Sequence, residues 1–196
     1  MKTINIIAIK LTPIVMLLTV LLVSSCRTSE EEKNEPFSKL ESTIEKPNVD
    51  IQTAVITGNI DAVKQHIKAG TNLNEKEPLG GSTPLISAAT FNKPEIAKAL
   101  IDAHADLSIK NNDGATALHV AAFLGRIEIV QLLIDANADK GIRNKYGATP
   151  RESIIMDFNE VKPVYDMLNQ QLSPMGFELD LDALQKARPV IAMMLQ

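Results

Sequence analysis

The side chains able to do chemistry in this 196-residue chain are few and scattered. Cys26, the sole cysteine, is a candidate nucleophile, and His66, His104 and His119 are candidate bases. Nucleophilic catalysis needs the two within hydrogen-bond reach, with a third group orienting the base. No base–nucleophile motif surrounds any of the three histidines. The chain has no G-x-S-x-G elbow, phosphate-binding glycine loop or dinucleotide fingerprint. No histidine has a second His, Cys or acidic residue at the spacing of a zinc motif, and one cysteine excludes a disulfide framework within one chain. Asp180 and Asp182 flank Leu181, which suits a helix start better than a carboxylate pair. The reading is of a protein that is not an enzyme and uses no metal or cofactor; the alternative is an enzyme with an unrecognised site. A formal net charge of -4 gives no general attraction to nucleic acid, so none is expected as a partner.

The elements that position side chains emerge from a search for periodicity. Gly81, Gly114 and Gly147 are spaced by 33 residues, as are Thr83, Thr116 and Thr149. Ala88-Ala89 recurs as Ala121-Ala122, and Ala103-His104-Ala105-Asp106 as Ala136-Asn137-Ala138-Asp139. A weaker copy, Ala69-Gly70-Thr71-Asn72, is offset by 34, which places one inserted residue near 77–81. The threonines suit N-caps, and Pro84 and Pro150 follow them where a missing N–H costs nothing. Gly58 and Gly125 suit the ends of first helices. Second helices carry Ile60, Val63 and Ile67, then Ile96, Leu100 and Ile101, then Ile127, Val130, Leu133 and Ile134, which is helical spacing. One helix pair cannot bury its apolar face alone, so the pairs must stack.

Asp113-Gly114-Ala115-Thr116-Ala117-Leu118-His119-Val120-Ala121-Ala122 resembles the T-P-L-H-x-A core of ankyrin repeats, with Ala117 in place of proline. Gly81-Ser82-Thr83-Pro84-Leu85-Ile86-Ser87-Ala88-Ala89 is similar, with Ile86 in place of histidine. Gly147-Ala148-Thr149-Pro150 starts another copy that departs from pattern at Arg151-Glu152. The resemblance implies an all-α solenoid of stacked helix–turn–helix pairs with projecting β-hairpin or turn loops. About four repeats would span 48–172, the terminal ones degenerate, followed by a C-terminal helical cap over 173–196. It also implies that His119 hydrogen-bonds between repeats. Val161, Val164, Tyr165 and Leu168 follow an amphipathic helical pattern. Leu181, Leu184 and Ile191, interrupted by Pro189, predict two short helices over the last open face; the alternative is a separate binding element.

Partners of the family meet the loop tips and the exposed positions of first helices. By position, that implies Leu79, Gly80, Ser82, Thr90 and Phe91 in one repeat. The next supplies Asn112, Asp113, Ala115, Phe123 and Leu124, and the last Lys145, Tyr146, Ala148 and Met156. The expected contacts are Phe91, Asn112, Asp113, Phe123, Leu124, Lys145 and Tyr146, because clustered exposed aromatics mark binding hot spots. The alternative has Phe91 and Phe123, one repeat apart, stacked on each other as inter-repeat packing.

The amino terminus carries an address. Lys2 and Lys10 precede an apolar run from Leu11 to Val23, the order of a secretory signal peptide over 1–25; a retained anchor helix is the alternative. Val23-Ser24-Ser25-Cys26 resembles a bacterial lipobox, which implies cleavage before Cys26 and its acylation. Residues 26–47, rich in Glu, Lys, Ser and Thr, would be a lipidated acidic tether spanning about 25 Å. The expected location is the bacterial cell envelope, at the outer membrane, with either the periplasmic or the outer face open to the domain. The expected function is a non-catalytic, monomeric protein-binding module anchored there; a variant makes it an inhibitor or immunity protein for a toxic enzyme.

Overall fold

The computed structural model describes residues 47–196. The expected signal peptide, the lipidation of Cys26 and nearly all of the tether lie outside the described residues.

Three helix pairs follow one another: α1 (Ile51–Thr57) with α2 (Ile60–Lys68), α3 (Pro84–Thr90) with α4 (Pro94–Asp102), and α5 (Ala117–Phe123) with α6 (Ile127–Asp135). Local chemistry sets their limits. The Asp50 carboxylate caps α1 by accepting from Thr53 N, and the Thr83 hydroxyl accepts from Ile86 N to start α3. Within each pair the chain reverses through a left-handed residue, at Gly58 (φ 76°), Asn92 (φ 52°) and Gly125 (φ 71°). Asparagine substitutes for glycine there because its short polar side chain tolerates that region. The loops project as turns, and among the described residues no strand forms.

The core runs through the stack. Ala54, Ala88, Ala89, Ala121 and Ala122 are fully buried, and these small side chains let successive first helices approach closely. Leu85, Leu118, Ile96, Leu100, Ile129, Val130 and Leu133 fill the space between layers. Each contributes about 1.5–3 kcal/mol by removal from water.

The fourth repeat stops early. Thr149 and Glu152 form a capping box, Thr149 N donating to Glu152 Oε2 (2.9 Å) and Glu152 N to Thr149 Oγ1 (3.2 Å). Only a single turn follows before the fifteen-residue α7 (Phe158–Leu172), a 3₁₀ turn (Ser173–Met175) and α8 (Leu181–Met194). It is α8 that packs on α6 and carries the core onward with Ala187, Ile191 and Leu195. Pro189 lies inside this one helix, which corrects the expectation of two short helices. Proline removes one N–H, but its position is exposed and the buried Leu184, Ala187, Arg188 and Ile191 on the opposite side hold the helix together.

Candidate functional site

Two surfaces come from the repeats: a row of loop tips, and a strip at the carboxyl ends of the first helices. The tips are built by one device used three times. The Glu77 carboxylate accepts from the backbone N–H of Leu79 (2.7 Å), Gly80 (2.6 Å) and Ser82 (3.0 Å). Asn111 Oδ1 accepts from Asp113 N (3.0 Å) and Ala115 N (2.9 Å), and Asn144 Oδ1 from Tyr146 N (3.0 Å) and Ala148 N (3.1 Å). Burial opposes ionisation of Glu77, but the N–H groups of Ser82, Leu79 and Gly80 outweigh it and lower the pKa of the carboxyl.

Neighbouring tips are then joined. Asn112 N donates to Gly80 O (2.8 Å) and Lys145 N to Asp113 O (2.9 Å), while Asn112 Nδ2 reaches Leu79 O (2.9 Å). The approach is close enough that a Cβ on Gly114 would lie 2.7 Å from Lys145 N. The resulting row is preorganised, with Leu79 91% exposed at one end and Tyr146 78% exposed at the other. Asn112, Asp113 and Lys145 lie exposed between them.

The strip is different. Phe91 (8% exposed) and Leu124 (4% exposed) are buried, and Phe123 is half-buried. Phe91 meets Phe177 edge-on with centroids 6.2 Å apart, and Phe123 lies 4.6 Å from the Tyr165 ring. The expectation of an open aromatic surface at Phe91, Phe123 and Leu124 is corrected, and so is the alternative that Phe91 and Phe123 stack on each other. The chain's own α7, the segment 177–179 and Leu184 of α8 form one cluster with all three. Composition gave no hint of this, because the covering residues are remote in sequence and follow no repeat.

A register explains how α7 is seated. The last carbonyls of a first helix have no helical partner and need donors from outside. In the first pair, the Lys93 side chain lies against Gly58. In the second, Arg126 Nη2 donates to Thr90 O (3.4 Å) and to Glu178 O (2.9 Å), with its guanidinium 5.6 Å from the Phe177 ring. Burial lowers the Arg126 pKa. In the third, the Tyr165 hydroxyl donates to Phe123 O (3.0 Å), 33 residues on from Thr90. Tyr165 therefore supplies the donor that a further repeat would have brought. Its burial raises the phenol's pKa to about 12.

His119 has the structural role expected of it. Its Nδ1 accepts from Thr116 N (3.2 Å), and its Nε2 pairs with Ala148 O of the next repeat (3.1 Å). Burial lowers its pKa, and the charge of Lys110 adds to that effect. His66 pairs in the same way with Val49 O (2.8 Å) and Thr71 Oγ1 (3.0 Å). Asp180 caps α8, accepting from Asp182 N (2.9 Å) and Ala183 N (3.0 Å). Among the described residues no group of three or more His, Cys, Asp or Glu is placed to hold a metal, and no helix is long and apolar enough to cross a membrane.

Comparison with known proteins bears on the stack directly. Residues 51–144 match the family profile described as "Ankyrin repeats (3 copies)". These residues are ankyrin repeats. The stretch resembles Protein phosphatase 1 regulatory subunit 27 of Homo sapiens and of Mus musculus, 36% identical in each case over 64 residues, covering 33% of this chain and 41% of the relative. It also resembles the DNA-binding protein RFXANK of Homo sapiens, 32% identical over 83 residues, or 42% of this chain and 31% of that one. Among solved structures, the ankyrin repeat domain of Bcl-3, of the IkappaB protein family, superimposes with a TM-score of 0.51 at 25% identity. It matches 53% of this chain and 45% of its own. The chain thus spans less than half the length of each of these relatives. Ankyrin repeats are protein-interaction modules, and homologues of this kind are mostly non-catalytic binding proteins.

Proposed function

We propose that this chain is a protein-binding module held on the bacterial envelope by lipid on Cys26, and that it grips a periplasmic or surface protein with its row of loop tips. The observation that carries the reading is the row itself. Three turns are fixed internally and to one another, and two large apolar side chains, Leu79 and Tyr146, stand in solvent at its ends. A surface already rigid before contact loses little conformational freedom on binding. Exposed tyrosine adds a large amphipathic contact at a small entropic cost. The envelope address rests on the lipobox-like Val23-Ser24-Ser25-Cys26.

In-cell cross-linking tests the grip. Truncating both Leu79→Ala and Tyr146→Ala should cut recovery of the captured protein at least about tenfold, as loss of a hot spot worth about 2 kcal/mol requires. Undiminished recovery from a folded double variant contradicts it. Cys26→Ser tests the tether, and should move the protein from the membrane fraction to the soluble one.

A further inference from the structure

The two ends of the tip row hang on different chemistry. Ser82, Ala115 and Ala148 close the three tips at intervals of 33 residues, their carbonyls accepting from Glu77 N, Asn111 N and Asn144 N (2.9 Å each). The first helix of the preceding pair supplies two of these carbonyls with a second donor. Gln52 Nε2 on α1 donates to Ser82 O (3.0 Å), and His119 Nε2 on α5 to Ala148 O (3.1 Å). Between them, α3 carries Ile86 at the position of His119, a side chain with no donor to give. The Leu79 tip is therefore fixed to the stack by an amide, and the Tyr146 tip by an imidazole.

Only the imidazole changes charge in mild acid. Neutral His119 fits its slot, with Nδ1 accepting from Thr116 N (3.2 Å) while Nε2–H donates to Ala148 O. A proton on Nδ1 sets a donor against the Thr116 N–H, in a slot where the side chain is 3% exposed. The surrounding charges do not compensate it. Lys110, whose Nζ donates to Arg143 O (3.0 Å), repels a charged ring. On the far side Lys145 adds a cation to the tip, and the Glu152 carboxylate is already paired with Arg143 and with Thr149 N. Neither α3 nor α5 has a carboxylate, and Arg188 of α8 is bound to Ile154 O. A buried charge without a partner is costly enough that the ring leaves its slot, and the bond to Ala148 O goes with it. Burial, with a smaller contribution from Lys110, holds the His119 pKa below 6.5, so the tip is fully held above that pH and freed as pH falls through the lowered value. At the other end Glu77 stays ionised in mild acid, because its N–H partners outweigh its burial.

We propose that His119 is an acid-operated latch on one end of the grip: mild acid loosens the Tyr146 tip, leaves the Leu79 tip fixed, and weakens the hold on a bound protein. This rests on the reading that the tips bind protein, and gives that surface a means of release.

Amide exchange of the full chain, without any partner, tests the latch. Between about pH 7.5 and about pH 5, with intrinsic rates divided out, protection at Tyr146 and Ala148 should fall about tenfold and that at Leu79 and Ser82 less than about twofold. His119→Gln gives α5 the amide donor that α1 uses, and should hold the Tyr146 tip equally at both pH values. The proposal is overturned by protection at Tyr146 that does not move, or by an equal fall at both ends, which acid loosening of the whole stack would give. The same fall in a folded His119→Gln chain overturns it too. A readout that needs no variant is the titration of the His119 Cε1 proton in the parent chain: its midpoint should coincide with that of the loss at Tyr146, and separate midpoints contradict the latch. Cross-linked capture at the two pH values reads the release, and should fall in acid for the parent chain but not for His119→Gln. Capture near neutral pH that survives Leu79→Ala with Tyr146→Ala contradicts the tip-row reading itself. Capture that depends on those two residues yet is undiminished in acid contradicts the latch alone.

Discussion

The repeat core and the cluster beneath α7 are both apolar and both closed to water, yet they are built from different materials. Small and branched aliphatic side chains repeat through the first, at matching positions in each layer, and α8 continues them. Rings dominate the second: Phe91, Phe177, Tyr165, Phe123 and Phe158 gather where no repeat supplies a partner. Periodic aliphatic packing makes a scaffold whose layers depend on their neighbours. The aromatic strip holds α7 by a few large ring contacts.

The largest effect should come from the scaffold. Leu133→Ala removes a fully buried side chain from the core and should cost about 3 kcal/mol, lowering the urea midpoint of the whole domain. Tyr165→Ala should instead abolish protection of α7 amides while moving that midpoint much less. Equal midpoint shifts would merge the two regions into one cooperative unit.

A second contrast lies within the tips. Gly114 (φ 73°) and Gly147 (φ 78°) share a backbone conformation, but only Gly114 faces a neighbouring turn. Gly147→Ala should cost about 1–2 kcal/mol, the strain of a left-handed alanine. Gly114→Ala should cost more in a thermal melt, because its methyl group meets Lys145 N. Equal costs would mean that the tips are not joined.

Opposite ends of the pH scale should separate the regions next. The Tyr165 phenol has its pKa raised by burial from the ordinary 10 to about 12. Its stabilising contribution is therefore complete below pH 10 and is lost as pH climbs from 10 to 12. Loss of α7 protection across that window should be blunted in Tyr165→Phe, which at neutral pH gives up about 1 kcal/mol with the hydrogen bond to Phe123 O. His119 behaves in reverse, burial having lowered its pKa below 6.5. Its contribution is full above pH 6.5 and is lost as pH falls through the depressed value, so the stack, not α7, should weaken in mild acid. His119→Asn should flatten that acid limb of the urea midpoint. An unchanged limb would show that the histidine is not the sensor.

What could be read in advance followed the period. Thr83 and Thr116 announced helix starts because capping is local chemistry, whereas Thr149 caps only a single turn; Gly58 and Gly125 announced reversals for the same reason. The tips Asn112, Asp113, Lys145 and Tyr146 were legible as exposed because they fall where each repeat turns. The fate of Phe91, Phe123 and Leu124 was not legible: burial there depends on Phe177 and Tyr165, which belong to no repeat. One signal did exist, since the spacing from Thr90 to Phe123 marks successive carbonyls that need donors, and Tyr165 on a predicted amphipathic helix could supply one. Nothing in the sequence marks Arg126 and Arg188 for burial, because a cation beside apolar residues is ordinarily solvated. Here both serve backbone carbonyls, Arg188 buried and Arg126 half-buried.

The chain's two tyrosines give the most direct test, because Tyr146 stands at the open row and Tyr165 lies in the closed cluster. Brief nitration of the native full chain, mapped by mass spectrometry, should modify Tyr146 and spare Tyr165 until the protein is unfolded. Equal modification of both in the native state would contradict the division between an open tip row and a strip covered by α7.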